Sequence, residues 1–508
     1  MKEYVTELSK YFINICMVIY TLNCFLAFAG KRVNEKVIHI VQKILIFLIQ
    51  LACFVDLMLV SEDMQYLIFY AFVQVFLLAM MVMVPLIYEK ANQLLLDNMC
   101  MLAGTGLCMI SRLSFNKAVK QYIIILISLT VSLFIPYLLS RIRFLKKITW
   151  LYAAVGISML SVVLVLGEVT YGSKISFSLI GITFQPSEFV KILFIFFLAG
   201  ALWEKCDFVR VAITAVIAGI HVIVLVVSTD LGSALIFFVG YVFVVFAATG
   251  NYLYLLCGAV GGSGAAYVAY RLFEHVKTRV LAWKDPWRYI DNQGYQITQS
   301  LFAIGSGSWF GMGLLQGNPN AIPKVDADFI FSSVCEELGV IFGICLILVM
   351  ISCFVMMMYI AIQIRDRFYQ TIVYGIGIMY IFQIFLTVGG GIKLIPLTGV
   401  TLPFISYGGS SVMTTMIMFF VIQGIYIRLQ QEGGRHNGRA KAGGAPGASG
   451  THQKAASASG SAGTSKRAVS ASGSAGTSKR AVSASGPAGA SKRATEAKQT
   501  GAASRTTK

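Results

Sequence analysis

Four carboxylates lie in the segment IPKVDADFIFSSVCEELG, residues 322–339, at the start of a long apolar run. Asp328 is followed by Phe-Ile-Phe, so we expect apolar surroundings that raise its proton affinity. A carboxylate with a pKa near neutrality can act as a general base. If a helix has begun by Asp328, Glu336 falls about 80° from it, Glu337 falls on the opposite side, and Asp326 points elsewhere. Asp328 is therefore the candidate base at the mouth of a polar cavity, and Glu336 is the better supporting residue.

Two further motifs place ionisable groups at helix starts. In FQPSEFVK, residues 184–191, Glu188 and Lys191 are three residues apart and share one helix face, where they can pair. Charged groups at membrane depth cost about 2.5–3.5 kcal/mol each and usually face a cavity or a partner. A structural pair and a substrate contact therefore both stay open. In STDLGS, residues 228–233, Asp230 precedes a helix, and capping of that helix is the favoured interpretation.

Cations mark the long segment before these carboxylates. TRVLAWKDPWRY, residues 278–289, contains Arg279, Lys284 and Arg288. A later Gly- and Pro-rich segment supplies another cation, Lys393. Such cations suit an anionic substrate, for example a phosphate or pyrophosphate, and arginine is the better forked donor.

The same long segment contains Gly305, Gly307, Gly311 and Gly313, which superficially resemble a phosphate-binding loop. Such loops need a strand before them and a helix after them, and the sequence does not predict this context. Close packing or a re-entrant turn is the favoured interpretation.

These motifs lie in a chain of 508 residues that is 57% hydrophobic and only 13% charged. Apolar runs long enough to cross a membrane recur along most of its length, which predicts an all-α polytopic membrane protein. The opening segment lacks a small-residue cleavage site and is interpreted as a retained first helix. The predicted membrane spans are residues 11–29, 38–60, 66–87, 94–112, 120–140, 150–167, 187–204, 208–228, 231–249, 252–272, 327–360, 370–389 and 404–428.

Basic residues in short loops indicate the orientation, because Lys and Arg accumulate on the cytoplasmic side. GKRVNEK (31–37), SRIRFLKK (140–147) and IRLQQEGGR (427–435) fall on one face, and the acidic SEDMQ (61–65) falls on the other. The N-terminus is then outside and the C-terminal tail is cytoplasmic. The polar motifs, including the long loop 273–326, all fall on the exterior face, which suggests a working surface there.

The net charge of +18 belongs mainly to the tail, since residues 433–508 contain thirteen Lys or Arg and one Glu. This Ala-, Gly- and Ser-rich segment repeats every 13 residues, as in GSAGTSKRAVSAS from Gly460, and is expected to be disordered. A solvated, non-catalytic tail is the favoured interpretation. Attraction to anionic membrane lipids explains its charge more simply than nucleic-acid binding. The ten cysteines form no CxxC pair and the five histidines are dispersed, so no metal site is predicted.

Several of these segments together resemble one family. QPSEFVKI, DLGSA, GYQITQSLFAIGSG, ADFIFSSVCEELG and IPLTGVTLPFISYGGSS are similar, in this order, to motifs of the SEDS (shape, elongation, division and sporulation) proteins, the FtsW, RodA and SpoVE group. The resemblance covers about residues 94–430 and implies a SEDS-like core of ten transmembrane helices. Residues 1–93 then form about three additional transmembrane helices, and residues 431–508 form the disordered tail.

The resemblance implies a peptidoglycan glycosyltransferase that polymerises lipid II onto a lipid-linked glycan chain at the outer face of the cytoplasmic membrane, with a class B penicillin-binding protein as partner. Asp328 matches the essential carboxylate of the family and would accept a proton from the 4-hydroxyl of the acceptor sugar. Undecaprenyl pyrophosphate would leave with inversion. No cofactor is evident, although a divalent cation could help to stabilise the leaving group. The residues expected to bind substrate are Glu188, Lys191, Asp230, Arg279, Gln296, Glu336, Lys393 and Ser406.

Two other functions fit a polar cavity among membrane helices. A flippase or transporter would move the lipid-linked precursor across the membrane, and a scaffold would only recruit the transpeptidase. The resemblance leaves open whether the protein serves division, elongation or sporulation. Near Asp328 the sequence departs from the family pattern, because Lys324 and Asp326 stand where Glu and His are common.

Overall fold

The computed structural model describes residues 2–442 of the chain, except residues 33, 143, 171, 172, 180, 181 and 205. This part is almost entirely helical and belongs to one compact unit, Met1–Ala445. The predicted all-α membrane fold is confirmed. The disordered, repetitive tail was predicted for residues 431–508. Of these, residues 443–508 lie outside the described residues.

Fifteen α-helices follow one another along the described chain. Helices α1–α3 are the additional N-terminal helices, α4–α10 and α13–α15 form the ten-helix core, and α11 and α12 lie in the predicted exterior loop. The helices are α1 (Lys2–Leu26), α2 (Glu35–Ser61), α3 (Gln65–Ile87), α4 (Gln93–Leu113), α5 (Phe115–Arg141), α6 (Thr149–Leu166), α7 (Pro186–Leu202), α8 (Phe208–Val227), α9 (Leu231–Thr249), α10 (Tyr252–Leu272), α11 (Glu274–Lys284), α12 (Tyr295–Gly307), α13 (Ile330–Gln363), α14 (Arg367–Gly391) and α15 (Gly409–Ala442). Each predicted span overlaps one of these helices.

Among the described residues, twelve helices are long and apolar enough to cross a membrane. The remaining predicted span, residues 187–204, corresponds to α7, which has 17 residues and lies at the lower end of the usual range for a span. Pro186 occupies its first turn, where a missing N–H is tolerated. Helix α4 lies deepest, since every residue from Leu94 to Ser111 is buried. Helix α10, by contrast, has no buried residue along its fully described length.

Polar side chains attach the additional helices to the core. Helix α1 packs against α2 and α13. The Tyr20 hydroxyl of α1 donates to Asn98 Oδ1 of α4 at 3.0 Å, and Asn98 Nδ2 donates to Ser352 Oγ of α13 at 2.8 Å. Because the apolar interior of a membrane offers no water to buried polar groups, such bonds between helices hold the helices in register.

A small antiparallel sheet joins α6 to α7. It contains β1 (Glu168–Thr170), β2 (Ser173–Leu179) and β3 (Ile182–Phe184) in the order β1-β2-β3, with Phe177 opposite Phe184. These strands were not predicted from the sequence. The alternation of polar and apolar residues in SKISFSL is the pattern that indicated them.

The predicted exterior loop 273–326 is largely helical, because it contains α11, α12 and a 3-10 turn at Pro319–Ala321. The start of α13 also differs from the predicted residue 327. The helix begins at Ile330, after a non-helical Phe329. The carboxylates before α13 therefore belong to turns.

The last helix is longer than predicted. Helix α15 continues to Ala442, so residues 431–442 are helical where disorder was expected. Arg428 and Glu432, one helical turn apart, form an ion pair of 3.0 Å that supports this extension.

Candidate active site

Asp328 lies in the turn before α13 and is half-buried. Burial raises the pKa of its carboxyl group to about 6, although the nearby cations Lys324 and Arg279 act in the opposite direction. A carboxylate with this pKa is mostly ionised at neutral pH and is a better proton acceptor than an ordinary aspartate. The proton affinity of Asp328 is thus raised, as expected from the sequence, and its catalytic role stays a prediction.

The backbone around Asp328 is not helical. Lys324 has a left-handed conformation, with φ of 59°, and its carbonyl accepts a hydrogen bond from the Ala327 amide at 3.0 Å. Helix α13 starts only at Ile330. The angle derived above between Asp328 and Glu336 assumed one continuous helix, and that prediction is wrong.

The chain just before the candidate base is held by the loop between α14 and α15 and by helix α5. The Ser406 hydroxyl donates to the Ala327 carbonyl at 2.5 Å, and the Tyr407 amide donates to the Asp326 carbonyl at 2.8 Å. Lys117 Nζ of α5 lies 2.7 Å from Asp326 Oδ2. Ser406 was predicted to bind substrate, whereas its hydroxyl here positions the backbone next to the candidate base.

Three side chains of the site were not predicted from the sequence: Lys117, Arg112 and Gln121. Gln121 Nε2 donates to the Ser406 carbonyl at 3.2 Å and so supports the same turn. A signal was present in SRLSFNKAVK, residues 111–120, which carries three cations at a turn that was predicted to lie outside. Cations in a short exterior turn oppose the usual charge bias and indicate a functional reason for their presence.

Arg279 of α11 faces the same region and is half-buried. Its Nη1 donates to the carbonyls of Leu397 at 3.2 Å and Thr398 at 3.0 Å. Burial lowers the pKa of the guanidinium, whereas the neighbouring carboxylates of Asp328 and Asp230 raise it. Arg279, Asp328 and Asp230 are thus brought together by the fold, as the sequence analysis expected.

The loop after α14 runs directly past Asp328. Gly399 has a positive φ of 78°, and a Cβ at this position would lie 3.6 Å from Asp328 Oδ2 and 3.7 Å from Arg279 Nη2. One turn along α11 from Arg279, Trp283 Nε1 donates to the Lys393 carbonyl at 3.2 Å. Helix α11 therefore holds this loop at two points, and Gly399 leaves the space beside the carboxylate free of a side chain.

Asp230 caps α9, as predicted from the sequence. Its Oδ1 accepts from the Ser233 amide at 3.1 Å. Its Oδ2 accepts from Ser187 Oγ at 3.0 Å and from Gln185 Nε2 at 3.2 Å, which joins the start of α7 to the start of α9. A contact of Asp230 with substrate stays a prediction.

Glu188 and Lys191 form the predicted ion pair, with 2.8 Å between Oε2 and Nζ, and both are buried. Lys191 Nζ also donates to Gln383 Oε1 at 2.9 Å, and Gln383 Nε2 donates to the Thr401 carbonyl at 2.9 Å. The pair thus fastens the loop after α14 to α7. Because Lys191 is only 1% exposed, the structure favours the structural interpretation of this pair.

Glu336 and Glu337 hold the loop that leads to the candidate base. Glu336 Oε1 accepts from the Asn318 amide at 2.8 Å. Glu337 Oε1 lies 2.6 Å from Arg112 Nε, and Arg112 Nη2 donates to the Gly317 carbonyl at 3.0 Å. Glu336 and Glu337 therefore both hold residues 317 and 318 of the loop that leads to Asp328.

Gln296 and Lys393 are half-buried at the same end of the bundle. Within the described ranges, no hydrogen bond or ion pair joins either side chain to Asp328. Their predicted substrate contacts stay predictions. In the part of the chain that the structure covers, no group of three or more His, Cys, Asp or Glu side chains is placed to hold a metal ion.

Comparison with known proteins identifies the family. The FtsW/RodA/SpoVE family model, described as a cell cycle protein, matches residues 93–431. The chain belongs to the FtsW/RodA/SpoVE family. The peptidoglycan glycosyltransferase RodA of Mycobacterium leprae is 32% identical over 357 residues, covering 65% of this chain and 77% of the relative. A probable peptidoglycan glycosyltransferase FtsW of Aliivibrio salmonicida is 30% identical over 355 residues, covering 67% and 86% of the two chains.

A solved structure has a fold similar to that of this chain. A chain from "Structural coordination of polymerization and crosslinking by a peptidoglycan synthase complex" aligns with a TM-score of 0.58 and 26% identity, covering 67% of this chain and 99% of that chain. The predicted SEDS membership is therefore confirmed. Because the family region starts at residue 93, helices α1–α3 lie outside it.

Proposed function

We propose that the protein is a peptidoglycan glycosyltransferase that polymerises lipid II into glycan strands. The observation that carries this proposal is Asp328, a half-buried carboxylate with a raised pKa beside Arg279. Membership of the FtsW/RodA/SpoVE family and relatives named as peptidoglycan glycosyltransferases support the same activity.

In this reaction Asp328 accepts the proton of the 4-hydroxyl group of the acceptor sugar. The oxygen attacks the anomeric carbon of the lipid-linked donor chain, and a new glycosidic bond forms with inversion. The bond from that carbon to the pyrophosphate breaks, and undecaprenyl pyrophosphate leaves with the electron pair. A positioned general base typically contributes about 10²–10⁴-fold to such a step. The leaving pyrophosphate is already activated, so the step needs no acid to protonate it.

Arg279 is the best-placed cation for the developing negative charge on the pyrophosphate. Its Nη1 is anchored to the carbonyls of Leu397 and Thr398, so the guanidinium is already oriented before substrate binds. Preorganised charge of this kind costs no rearrangement during the reaction. Lys393 and a divalent cation are further candidates for the same role.

We place this site on the exoplasmic side of the cytoplasmic membrane. Lys146, in the loop between α5 and α6, and Arg428, on α15, lie at the end of the bundle opposite to Asp328. Basic residues near helix ends accumulate on the cytoplasmic side. Thirteen spans then put the N-terminus outside and the C-terminal tail in the cytoplasm. Lipid II presented at the outer face would have its sugars at the level of Asp328.

A class B penicillin-binding protein is the proposed partner. The solved structure most informative on this point concerns a peptidoglycan synthase complex that coordinates polymerisation and crosslinking, and it aligns over 67% of this chain. A transpeptidase held beside the polymerase would crosslink each strand as it emerges.

The test is a strand assay on the full-length protein in nanodiscs, with its transpeptidase partner and lipid II. We expect the parent to make glycan strands and Asp328→Asn to lose at least about 100-fold in rate while it keeps its elution profile. Asp291→Asn is the matched control, because Asp291 is an exposed acid in the same exterior segment. Parent-like activity in Asp328→Asn would overturn the role of Asp328.

A vesicle assay with labelled lipid II separates polymerisation from transport. A flippase would move the lipid across the bilayer and would make no strands, and this movement would persist in Asp328→Asn. Such a result would replace the proposed function.

A further inference from the structure

Helix α13 is broken near its exterior end. Gly339 has φ of 92° and ψ of 162°, which no helix accommodates. In a continuous helix the amides of residues 340 and 341 would donate to the carbonyls of Glu336 and Glu337. Here these amides donate instead to the carbonyls of Ser308 and Trp309, at 3.0 and 3.1 Å.

The carbonyls on the other side of the break are satisfied by the same turn. Met312 and Gly313 donate their amides to the carbonyls of Glu336 and Glu337, each at 2.9 Å. The segment 308–313 therefore enters the break and replaces the helical hydrogen bonds. Non-helical backbone at membrane depth is stable only where protein groups satisfy it in this way.

The fit between this turn and the helix leaves no room for side chains. A Cβ on Gly311 would lie 2.2 Å from the Glu337 carbonyl oxygen. A Cβ on Gly339 would lie 2.4 Å from the Trp309 carbonyl oxygen. Of the glycines that resembled a phosphate-binding loop, Gly311 and Gly307 thus serve close packing, whereas a Cβ on Gly305 would meet open space.

Helix α1, which lies outside the family region, reaches this junction. Asn14 of α1 is 2% exposed, and its Nδ2 donates to the Leu338 carbonyl at 2.9 Å. The same nitrogen also donates to the Lys10 carbonyl of its own helix at 2.8 Å. It lies 3.3 Å from the Phe310 carbonyl oxygen, so it contacts both sides of the junction. Tyr11, almost one turn earlier on α1, packs its ring 5.2 Å from that of Phe310.

Helix α1 is itself fixed, so Asn14 is held in place. The Ser9 hydroxyl donates to the buried carboxylate of Asp56 on α2. Further along, Tyr20 donates to Asn98 of α4 at 3.0 Å. Asn14 therefore comes from a rigid part of the additional helices.

The junction is connected to the candidate base through short contacts. Glu336 and Glu337 use their carbonyls to hold the turn 308–313 and their carboxylates to hold residues 317 and 318. Those residues lead through one 3-10 turn to Asp328. A displacement of the turn would therefore displace the start of the loop that carries the base.

We propose that Asn14 is a positioning residue: by bonding to the carbonyls at the break in α13, it holds the turn 308–313 and, through it, the Asp328 loop. The proposal rests on the proposed function for its effect on catalysis. It gives the additional helices a role in the reaction of this chain, since Asn14 lies outside residues 93–431.

The test uses the full-length protein in nanodiscs and compares Asn14→Leu with Asn23→Leu. Asn23 lies on the same helix, and its Nδ2 donates to the Ile19 carbonyl of that helix at 2.8 Å. We expect Asn14→Leu to speed hydrogen exchange in peptides covering residues 306–320 and to lower kcat for strand synthesis about tenfold, with KM within about twofold of the parent. Asn23→Leu should change neither quantity.

Asn14→Gln keeps the donor and should recover most of kcat, whereas Asn14→Ala should behave like Asn14→Leu and covers the case in which Leu does not fit. The proposal would be overturned if hydrogen exchange in Asn14→Leu were unchanged, or if Asn23→Leu accelerated exchange equally. It would also be overturned if Asn14→Leu exchanged faster without a loss of kcat. Hydrogen exchange does not depend on catalysis. If the parent makes no strands, the proposed function fails, and the exchange comparison still decides whether Asn14 holds the turn.

Discussion

The Ser406 hydroxyl donates a hydrogen bond of 2.5 Å to the carbonyl of Ala327, the residue before Asp328. The Ser406 oxygen also accepts from the Leu402 amide at 2.8 Å, so it is fixed within its own loop. A carboxylate outside any helix thereby keeps a defined position. The loop after α14, which also contacts Arg279, sets where the base and the cation lie relative to each other.

Replacement of Ser406 by alanine should slow strand synthesis without weakening substrate binding. The Ala327 carbonyl would lose its donor, which costs about 1–3 kcal/mol at a buried site and frees the turn that carries Asp328. We expect kcat for Ser406→Ala to fall about tenfold and KM for lipid II to change by less than about twofold. Steady-state rates in nanodiscs measure both.

Ser306→Ala is the matched control for this prediction, because the exposed Ser306 donates only to the Ala303 carbonyl of its own helix, at 2.9 Å. It should have parent activity. A raised KM with normal kcat in Ser406→Ala would instead restore Ser406 as a substrate-binding residue.

The pH dependence of the reaction should report Asp328. With a pKa of about 6, Asp328 is protonated at lower pH and cannot accept a proton, so kcat/KM should fall about tenfold per pH unit below this value. Arg279 lowers the pKa of Asp328. In Arg279→Gln the pKa should therefore rise, and the acid limb should move to higher pH.

Initial rates over about pH 5 to 8 test this shift. Arg288→Gln removes an exposed arginine from the same segment between α10 and α13 and should leave the limb in place. If Arg279→Gln lowers the rate equally at every pH, Arg279 acts on the leaving group alone and not on the base.

The Glu188–Lys191 pair should matter for stability more than for catalysis. Removal of one partner leaves the other side chain buried with an uncompensated charge, which lowers the free energy of unfolding by about 3–5 kcal/mol. We expect Glu188→Gln to lower the thermal unfolding midpoint strongly and the double variant Glu188→Leu, Lys191→Met to recover much of it. Glu274 and Lys277 form an exposed pair with the same spacing, at 2.6 Å, so Glu274→Gln is the control and should leave the midpoint unchanged. Additive losses in the double variant would show that the two side chains do not act as a pair.

Local patterns predicted much of this molecule. Apolar runs predicted the helices, and the three-residue spacing of Glu188 and Lys191 predicted their ion pair, because both features depend on the regular geometry of one helix. Asp230 was likewise identified as a cap from its neighbours alone. These predictions needed no knowledge of which helices touch.

Contacts between distant segments could not be predicted in the same way. The Ser406–Ala327 bond joins residues 79 positions apart, and the Asn14–Leu338 bond joins residues 324 positions apart. No periodicity in the sequence encodes such pairs. The break at Gly339 and the late start of α13 depend on the same long-range packing, which is why the angle between Asp328 and Glu336 was wrong.

Asp328 should lower the stability of the protein at neutral pH, because burial disfavours its charged form. Its pKa is about 6 in the folded protein and 3.8 as a reference. Above about pH 6 the group is ionised in both folded and unfolded states, so the full penalty applies; below about pH 4 it is protonated in both, and the penalty vanishes. Asp328→Asn should therefore melt at a higher temperature than the parent at pH 7.5, and the difference should shrink as the pH falls from about 6 to about 4.

Thermal unfolding of both proteins across this range measures the effect, with the exposed Asp291→Asn as a variant that should match the parent throughout. A midpoint for Asp328→Asn at or below that of the parent at pH 7.5 would mean that the ionised carboxylate is stabilised by its neighbouring cations, and Asp328 would then be too weak a base for the proposed step.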